Sequence, residues 1–329
     1  MARRTDLLLN MLRNYARKIL PLPVKKALYR VYSQTIPSAL AKTLGLIGYD
    51  VSRRTNYYSP LPTVDELKRN EQRWNRPSEL RGVRYDTEAM KSWLLHLSSR
   101  YLEEFNDIPP YETLMKEGYG LGYTAVDAFT LYMMIRELKP RRYLEVGSGL
   151  STYYCSLAGK KNEADGSPVQ ITCIEPFPFK KLYSIDGIEI IPKLVQDVEQ
   201  DVFDELESGD VLFIDSSHAL KIDSDVSRLL LDVVPSVKSG VYVHIHDISF
   251  PYNFPYPAER WIFDQPEPMF WNEAMVLQAF LAFNTEFEIV LSMPILRHFD
   301  EAFISANVPI YQPISKDPNA FSSIWIRRK

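Results

Sequence analysis

The chain is poor in cysteine: of its 329 residues only Cys155 and Cys173 carry a thiol. Both fall in segments that read as core elements, so they are expected as buried thiols and not as a disulfide framework, which points to a reducing compartment. Long apolar runs are lacking as well. None reaches the roughly 20 residues needed to cross a bilayer, and Leu7-Leu8-Leu9 is too short for a secretory signal and has no small-residue cleavage site after it. No internal repeat and no low-complexity tract is found. What is there is a 46% hydrophobic composition with a mean hydropathy of −0.21, the balance of a globular protein with a sizeable core. The length fits one large domain, or one domain with an arm.

The net charge of −4 conceals an asymmetry. Residues 1–49 hold nine Lys/Arg against one acid, Asp6, a balance of +8 that leaves −12 for the remainder. Leu8, Leu12, Tyr15 and Ile19 recur at helical spacing, Pro21 and Pro23 interrupt, and Val24, Leu28, Val31 and Tyr32 begin a second stripe beside Lys25, Lys26 and Arg30. Two readings of this arm stand. It lies on an anionic membrane surface through residues 1–34, each cation contributing roughly 1 kcal/mol, or it packs on its own domain or on a second subunit. A nucleic-acid partner is not expected, because the body is acidic and no binding module is recognisable.

The densest signal runs from Arg142 to Ala158. Tyr143, Leu144 and Val146 read as a short buried strand, Gly147, Ser148, Gly149 and Ser151 as a tight turn, and Thr152 onward as a helix. Strand, small-residue loop and helix start together make a nucleotide cradle: the glycines admit close approach of backbone, and free N–H groups face the ligand. Glu145 sits beside it. The next strand, 169–174, ends in Glu175, placed to bind ribose hydroxyls. A dinucleotide fingerprint asks for Gly-x-Gly-x-x-Gly, and Thr152 stands where its last glycine belongs. The pattern Glu-x-Gly-x-Gly-x-Ser resembles motif I of class I S-adenosylmethionine (SAM) methyltransferases. The resemblance implies that Glu145 lies near the amino-acid end of SAM and that Glu175 holds the ribose.

From Arg141 onward strand and helix signals alternate, the pattern of an α/β Rossmann-like sheet, mostly parallel, with helices on both faces. Strands are expected at 142–146, 169–174, 188–191, 210–214, 241–246, 286–292 and 322–327, the last two without an obvious crossover helix between them. The class I plan implies that the seventh strand runs antiparallel between the fifth and sixth. Helices are expected over Thr63–Trp74, Thr87–Phe105 and Val126–Leu138. The chain thus divides into a basic helical arm (1–49), a helical lead-in (50–140) and a methyltransferase domain (141–329).

Ligands of such sheets bind outside the carboxyl ends of the strands. The fourth strand ends in Asp215-Ser216-Ser217-His218 and the fifth in His246-Asp247. The segments Phe213–Asp225 and Val243–Pro251, with Phe270–Ala274 downstream, resemble a bacterial branch of these enzymes, the methyltransferase family 24 type, often associated with glycan or secondary-metabolite modification. By that resemblance Asp197 lines the adenine side, although it serves equally as a first-turn acid of a helix over 198–206. Asp215 and Ser216 border the cofactor, and Asp215, His246 and Asp247 occupy the positions at which metal-dependent relatives hold a divalent cation, Mn, Mg or Fe. His246 is expected as general base, His218 as a loop anchor or catalytic group, and His244 as a satisfied core histidine. The aromatic-rich loop Phe250–Phe270 is either an acceptor lid, with Tyr252, Phe254, Tyr256, Trp261 and Trp271 stacking on a sugar or apolar acceptor, or ordinary packing. Glu273 reads as a first-turn helix acid.

The expected activity is methyl transfer from SAM to a hydroxyl of a glycan, sugar or secondary metabolite. Two alternatives of other classes stand beside it: a nicotinamide-dependent oxidoreductase, and a non-catalytic SAM-fold subunit docked at a membrane assembly. The expected location is cytoplasmic, with or without peripheral contact at the inner membrane face, and homo-oligomerisation is open.

Overall fold

A computed structural model describes residues 21–31, 36–46, 57–119, 122–313 and 321–329. Two compact units divide at residue 63. The first carries the helices Leu22–Arg30, with Pro23 in its first turn, and Ile36–Gly45. The expected stripe of Leu8, Leu12, Tyr15 and Ile19 lies outside the described residues.

The second unit, 64–329, is built on one seven-stranded sheet. Its strands are β1 (Arg142–Val146), β2 (Gln170–Ile174), β3 (Ile188–Ile191), β4 (Val211–Ile214), β5 (Tyr242–His246), β6 (Phe287–Ser292) and β7 (Ser323–Arg328). Their order is β3-β2-β1-β4-β5-β7-β6. The first five pair in parallel, and β7 is antiparallel to both β5 and β6, as the class I plan implies. The central strands are apolar on both faces because helices cover both sides. Register aligns their ends: Val146 pairs with Ile174 and Ile214, and Ile214 with Ile245. The polar residues that follow these positions are therefore brought to one edge.

The helix Ala125–Leu138 is buried from Val126 to Arg136 and packs between the helices Thr87–Asn106 and Leu150–Ala164. Arg136 ties the three together, with Nε 2.6 Å from Glu104 and Nη1 3.1 Å from Asp165. The helices before β1 thus belong to the same compact unit as the sheet. A 15-residue helix, Met293–Asn307, separates β6 from β7, which corrects the expectation of no crossover helix there. Two features hide it in the sequence. Pro294 reads as a breaker although it occupies the first turn, where no N–H is required. Asp300 (φ −154, ψ 70) interrupts the helical backbone and blurs the periodicity. Both cysteines are buried and free, as expected.

Candidate functional site

The loop after β1 is held from below and from both sides. Gly147 has φ +82, and a Cβ there would stand 1.9 Å from the carbonyl oxygen of Asp215, so only glycine lets the β1 and β4 ends meet. Its N–H donates to the Ile174 carbonyl, and Asp215 N–H to that of Val146. Glu175, at the β2 tip, accepts from Ser148 N–H at 3.1 Å and Phe177 N–H at 2.8 Å. Two buried hydroxyls, Ser148 Oγ and Ser216 Oγ, have no hydrogen-bond partner among the described residues. They lie in the loops after β1 and β4.

Glu145 lies beneath the loop. It is fully buried, and its carboxylate accepts from Ser151 Oγ at 2.6 Å and Thr152 Oγ1 at 2.5 Å. Burial pushes its pKa up to about 7, with the two hydroxyls opposing. Glu145 and Ser151 therefore fasten the loop to its helix. Thr152, at the position of the missing third glycine, supplies one of those fastenings and accepts from Gly149 N–H at 3.1 Å. Asp197 is exposed at the end of a short 3-10 turn (Val195–Asp197). The following helix begins at Gln200, so Asp197 is not a first-turn acid, and the alternative reading is corrected.

The ends of β4 and β5 bring Asp215, His218, His246 and Asp247 together. His246 Nδ1 lies 3.3 Å from Asp215 and 3.7 Å from Asp247, while its Nε2 lies 3.3 Å from Asp127. His218 repeats the arrangement: Nε2 is 3.3 Å from Asp215 and 3.2 Å from Asp247, and Nδ1 is 2.8 Å from Glu273. Each imidazole thus has a far nitrogen on a buried carboxylate and a near nitrogen facing the same two aspartates. Asp215 and Asp247 are the open members, with 27% and 22% of their side chains exposed. Three of the ligand-type groups, Asp215, His246 and Asp247, lie within 4.8 Å of one another.

Electrostatics follow from this packing. Burial disfavours both imidazolium ions, but the surrounding carboxylates outweigh it and raise both histidines well above their ordinary value. Burial likewise pushes Asp215 up, yet the two imidazoles hold it below the carboxylate range. Asp247 is raised, chiefly by burial. His246, fully buried with both nitrogens engaged, does not suit the expected role of free general base: carboxylates on both sides hold its proton in place. His218 is anchored as expected. Its carbonyl accepts from Asn272 and Glu273 N–H, and its ring lies 4.6 Å from Trp271. Glu273 is in the first turn of its helix as read, but it also works as the partner of His218. His244 is buried but not satisfied. Neither nitrogen has a partner among the described residues, and the ring stacks on Trp325 at 4.1 Å. Burial drives its pKa down to about 3.

Sequence reasoning missed Asp127. It is the one acid in the core-facing part of an otherwise apolar helix. It accepts from Thr124 Oγ1 (2.6 Å), His246, Ser322 N–H (3.3 Å) and Ser323 Oγ (2.8 Å). The signal was Thr124-x-x-Asp127, a capping pattern whose acid stands among core residues.

The sheet order, with β7 alone reversed, is that of the class I methyltransferase fold, and polar groups gather beyond the ends of β1, β2, β4 and β5. Residues 144–248, from β1 to just beyond β5, match the family described as "Methyltransferase domain". A protein of Archaeoglobus fulgidus described as uncharacterized is 27% identical over 165 residues, 47% of this chain and 73% of its own. Two solved structures are similar at greater distance. The O-methyltransferase TomG from Streptomyces achromogenes, in complex with SAM, is 13% identical with a TM-score of 0.38, over 75% of this chain and 91% of its own. An O-methyltransferase from Bacillus cereus, in complex with SAH, is 14% identical with a TM-score of 0.39, over 74% and 100%. Likenesses so distant carry no argument about chemistry.

Proposed function

We propose that this protein transfers the methyl group of SAM to a hydroxyl oxygen of a small molecule or glycan, at a site that also takes a divalent cation. One observation carries the reading: two part-exposed aspartates on adjacent strand ends, faced by two imidazole nitrogens whose opposite nitrogens are held by Asp127 and Glu273. Nitrogen fixed from behind by a carboxylate is how histidine is prepared to ligate a metal. Two oxygens and one nitrogen suit Mn²⁺ or Fe²⁺ better than Mg²⁺, which prefers an all-oxygen shell. Asp215, Asp247 and Nδ1 of His246 would hold the ion. Gly147, Ser148, Gly149 and Glu175 would hold SAM, and the unpartnered hydroxyls of Ser148 and Ser216 fit a polar ligand between their loops.

When bound, SAM supplies an electrophilic methyl carbon and the ion lowers the pKa of a neighbouring hydroxyl. The chain's own part is to align the acceptor oxygen and take its proton. With a cation on Asp215 and Asp247 offsetting the negative charge that keeps the imidazoles protonated, His218, oriented by Glu273, is left as the proton acceptor. His246 is a ligand and positioning residue instead. Manganese titration followed by electron paramagnetic resonance tests the reading: one Mn²⁺ per chain is expected, and none in Asp215→Asn. Equal binding by the variant, or no binding by the natural chain, rejects the metal part.

A further inference from the structure

A cavity of about 400 Å³ is lined by Phe250, Tyr252, Tyr256, Arg297, His298 and Glu301, among others. None of these residues belongs to the histidine–carboxylate cluster or to the loop after β1, and Tyr252 and Tyr256 come from the aromatic-rich loop. Two connections join the cavity to the cluster. Phe250 follows Asp247 by three residues. The Arg297 guanidinium lies 4.3 Å from the centroid of Phe321, and the next residue, Ser322, donates to Asp247 at 2.9 Å.

Arg297 is the unexplained group. Among the described residues its buried Nη1 has no hydrogen-bond partner and no ion pair. Glu301 is four residues on in the same helix, the ordinary place for a partner. The break at Asp300 interrupts that relation, and Glu301 accepts from the Tyr311 hydroxyl instead. Burial pulls the guanidinium below its usual value, and the negative charges of Asp127 and Glu301 oppose this only in part. A guanidinium presents a planar fork of N–H donors that matches an oxyanion. Tyr252 and Tyr256 add an aromatic wall, their rings stacked at 3.8 Å, and Tyr252 meets His298 edge to face at 6.1 Å. Phe254, Ala258 and Ile262 form a small core behind this wall, so part of the 250–270 loop is packing and part faces the cavity.

We propose that this cavity binds the methyl acceptor and that the acceptor is an oxyanion-bearing hydroxylated molecule, its carboxylate or phosphate held by Arg297 and its body laid against Tyr252 and Tyr256. The word acceptor rests on the methyl-transfer reading; the oxyanion subsite does not. Calorimetry on the full chain with D-glucuronate, D-glucose 1-phosphate and D-glucose tests it, with SAH titrated into the same sample. At least one of the two anionic sugars is expected to bind tenfold or more tightly than glucose, and which of them does so separates carboxylate from phosphate recognition. R297Q is expected to abolish that preference, and R297K to retain part of it. The comparison of anionic with neutral sugar needs no variant, so it holds even if R297Q fails to fold. Glucose binding as well as both anions, no anion binding at 10 mM, or a preference that survives in folded R297Q overturns the proposal. Anion binding through Arg297 without any SAH binding keeps the subsite and removes the methyl-transfer reading.

Discussion

Replacing Asp127 by asparagine probes the residue that holds His246 from behind. The carboxylate is fully buried and only accepts: from Thr124 Oγ1 at 2.6 Å, Ser323 Oγ at 2.8 Å, and His246 Nε2 and Ser322 N–H at 3.3 Å. An asparagine side chain of the same shape offers one acceptor oxygen and one amide that donates. Turned with its oxygen to Thr124, His246 and Ser322, it keeps those contacts as neutral ones and faces Ser323, which can rotate to accept. The loss is then chiefly the charge on the His246 hydrogen bond, about 2 kcal/mol from the usual worth of such bonds. Asp127→Ala also leaves the imidazole unpaired and costs about 3–5 kcal/mol. Burial raises the Asp127 pKa, but His246, Thr124 and Ser323 outweigh it, so the folded value lies below the unfolded one. Its contribution is therefore present above the unfolded pKa of about 3.9 and disappears as pH falls through the folded value. The stability gap between the natural chain and Asp127→Asn should close in the same range. Because the imidazole loses the charged partner that holds it from behind, Mn²⁺ affinity should fall about 10- to 100-fold. Thermal unfolding and paramagnetic titration read the two effects. Asp127→Asn with unchanged stability and unchanged Mn²⁺ affinity refutes the reasoning.

Other outcomes follow from single contacts. Gly147→Ala should lose about 1–3 kcal/mol from backbone strain alone, and more from the contact with the Asp215 carbonyl, read by urea unfolding; a loss below 0.5 kcal/mol, to order of magnitude, contradicts that contact. Glu145 has a folded pKa of about 7 against an unfolded value near 4.3, so the folded state carries the extra proton between them. Stability should therefore fall as pH rises through that window, by up to about 1.4 kcal/mol per unit, and level off above pH 7. Glu145→Gln should flatten this slope, and parallel profiles for the two chains would count against the assignment. His244→Phe removes two unpartnered buried nitrogens while keeping a ring against Trp325, and should leave the melting temperature unchanged or higher; a large drop would mean that the nitrogens have partners after all.

Much of this architecture was legible because its signals are local. Strand, glycine loop and helix start share one stretch of sequence, and the class I plan supplied the reversed β7. The Met293–Asn307 helix was not legible, since Pro294 and Asp300 each resemble a stop while only the second disturbs the backbone. The cluster was half legible. Asp215, His218, His246 and Asp247 stand at strand ends, where position alone marks them. Their orienting partners Asp127 and Glu273 come from helices 119 and 55 residues away from the histidines they hold, and no periodicity reports such pairings. Glu145 was legible as an acceptor near the end of β1 but not as a buried one, because burial depends on Ser151 and Thr152 turning back to meet it. Arg297 was invisible for a similar reason: an arginine in a helix reads as surface until the fold shows it buried, with its Nη1 unpartnered among the described residues.

Calorimetric titration of the full chain with SAH tests the central claim most directly. Saturable binding of one SAH per chain is expected, weakened at least tenfold by Glu175→Ala, whose carboxylate lies at the β2 tip beside the Ser148 N–H. No heat of binding at millimolar SAH, or equal affinity in Glu175→Ala, would contradict it.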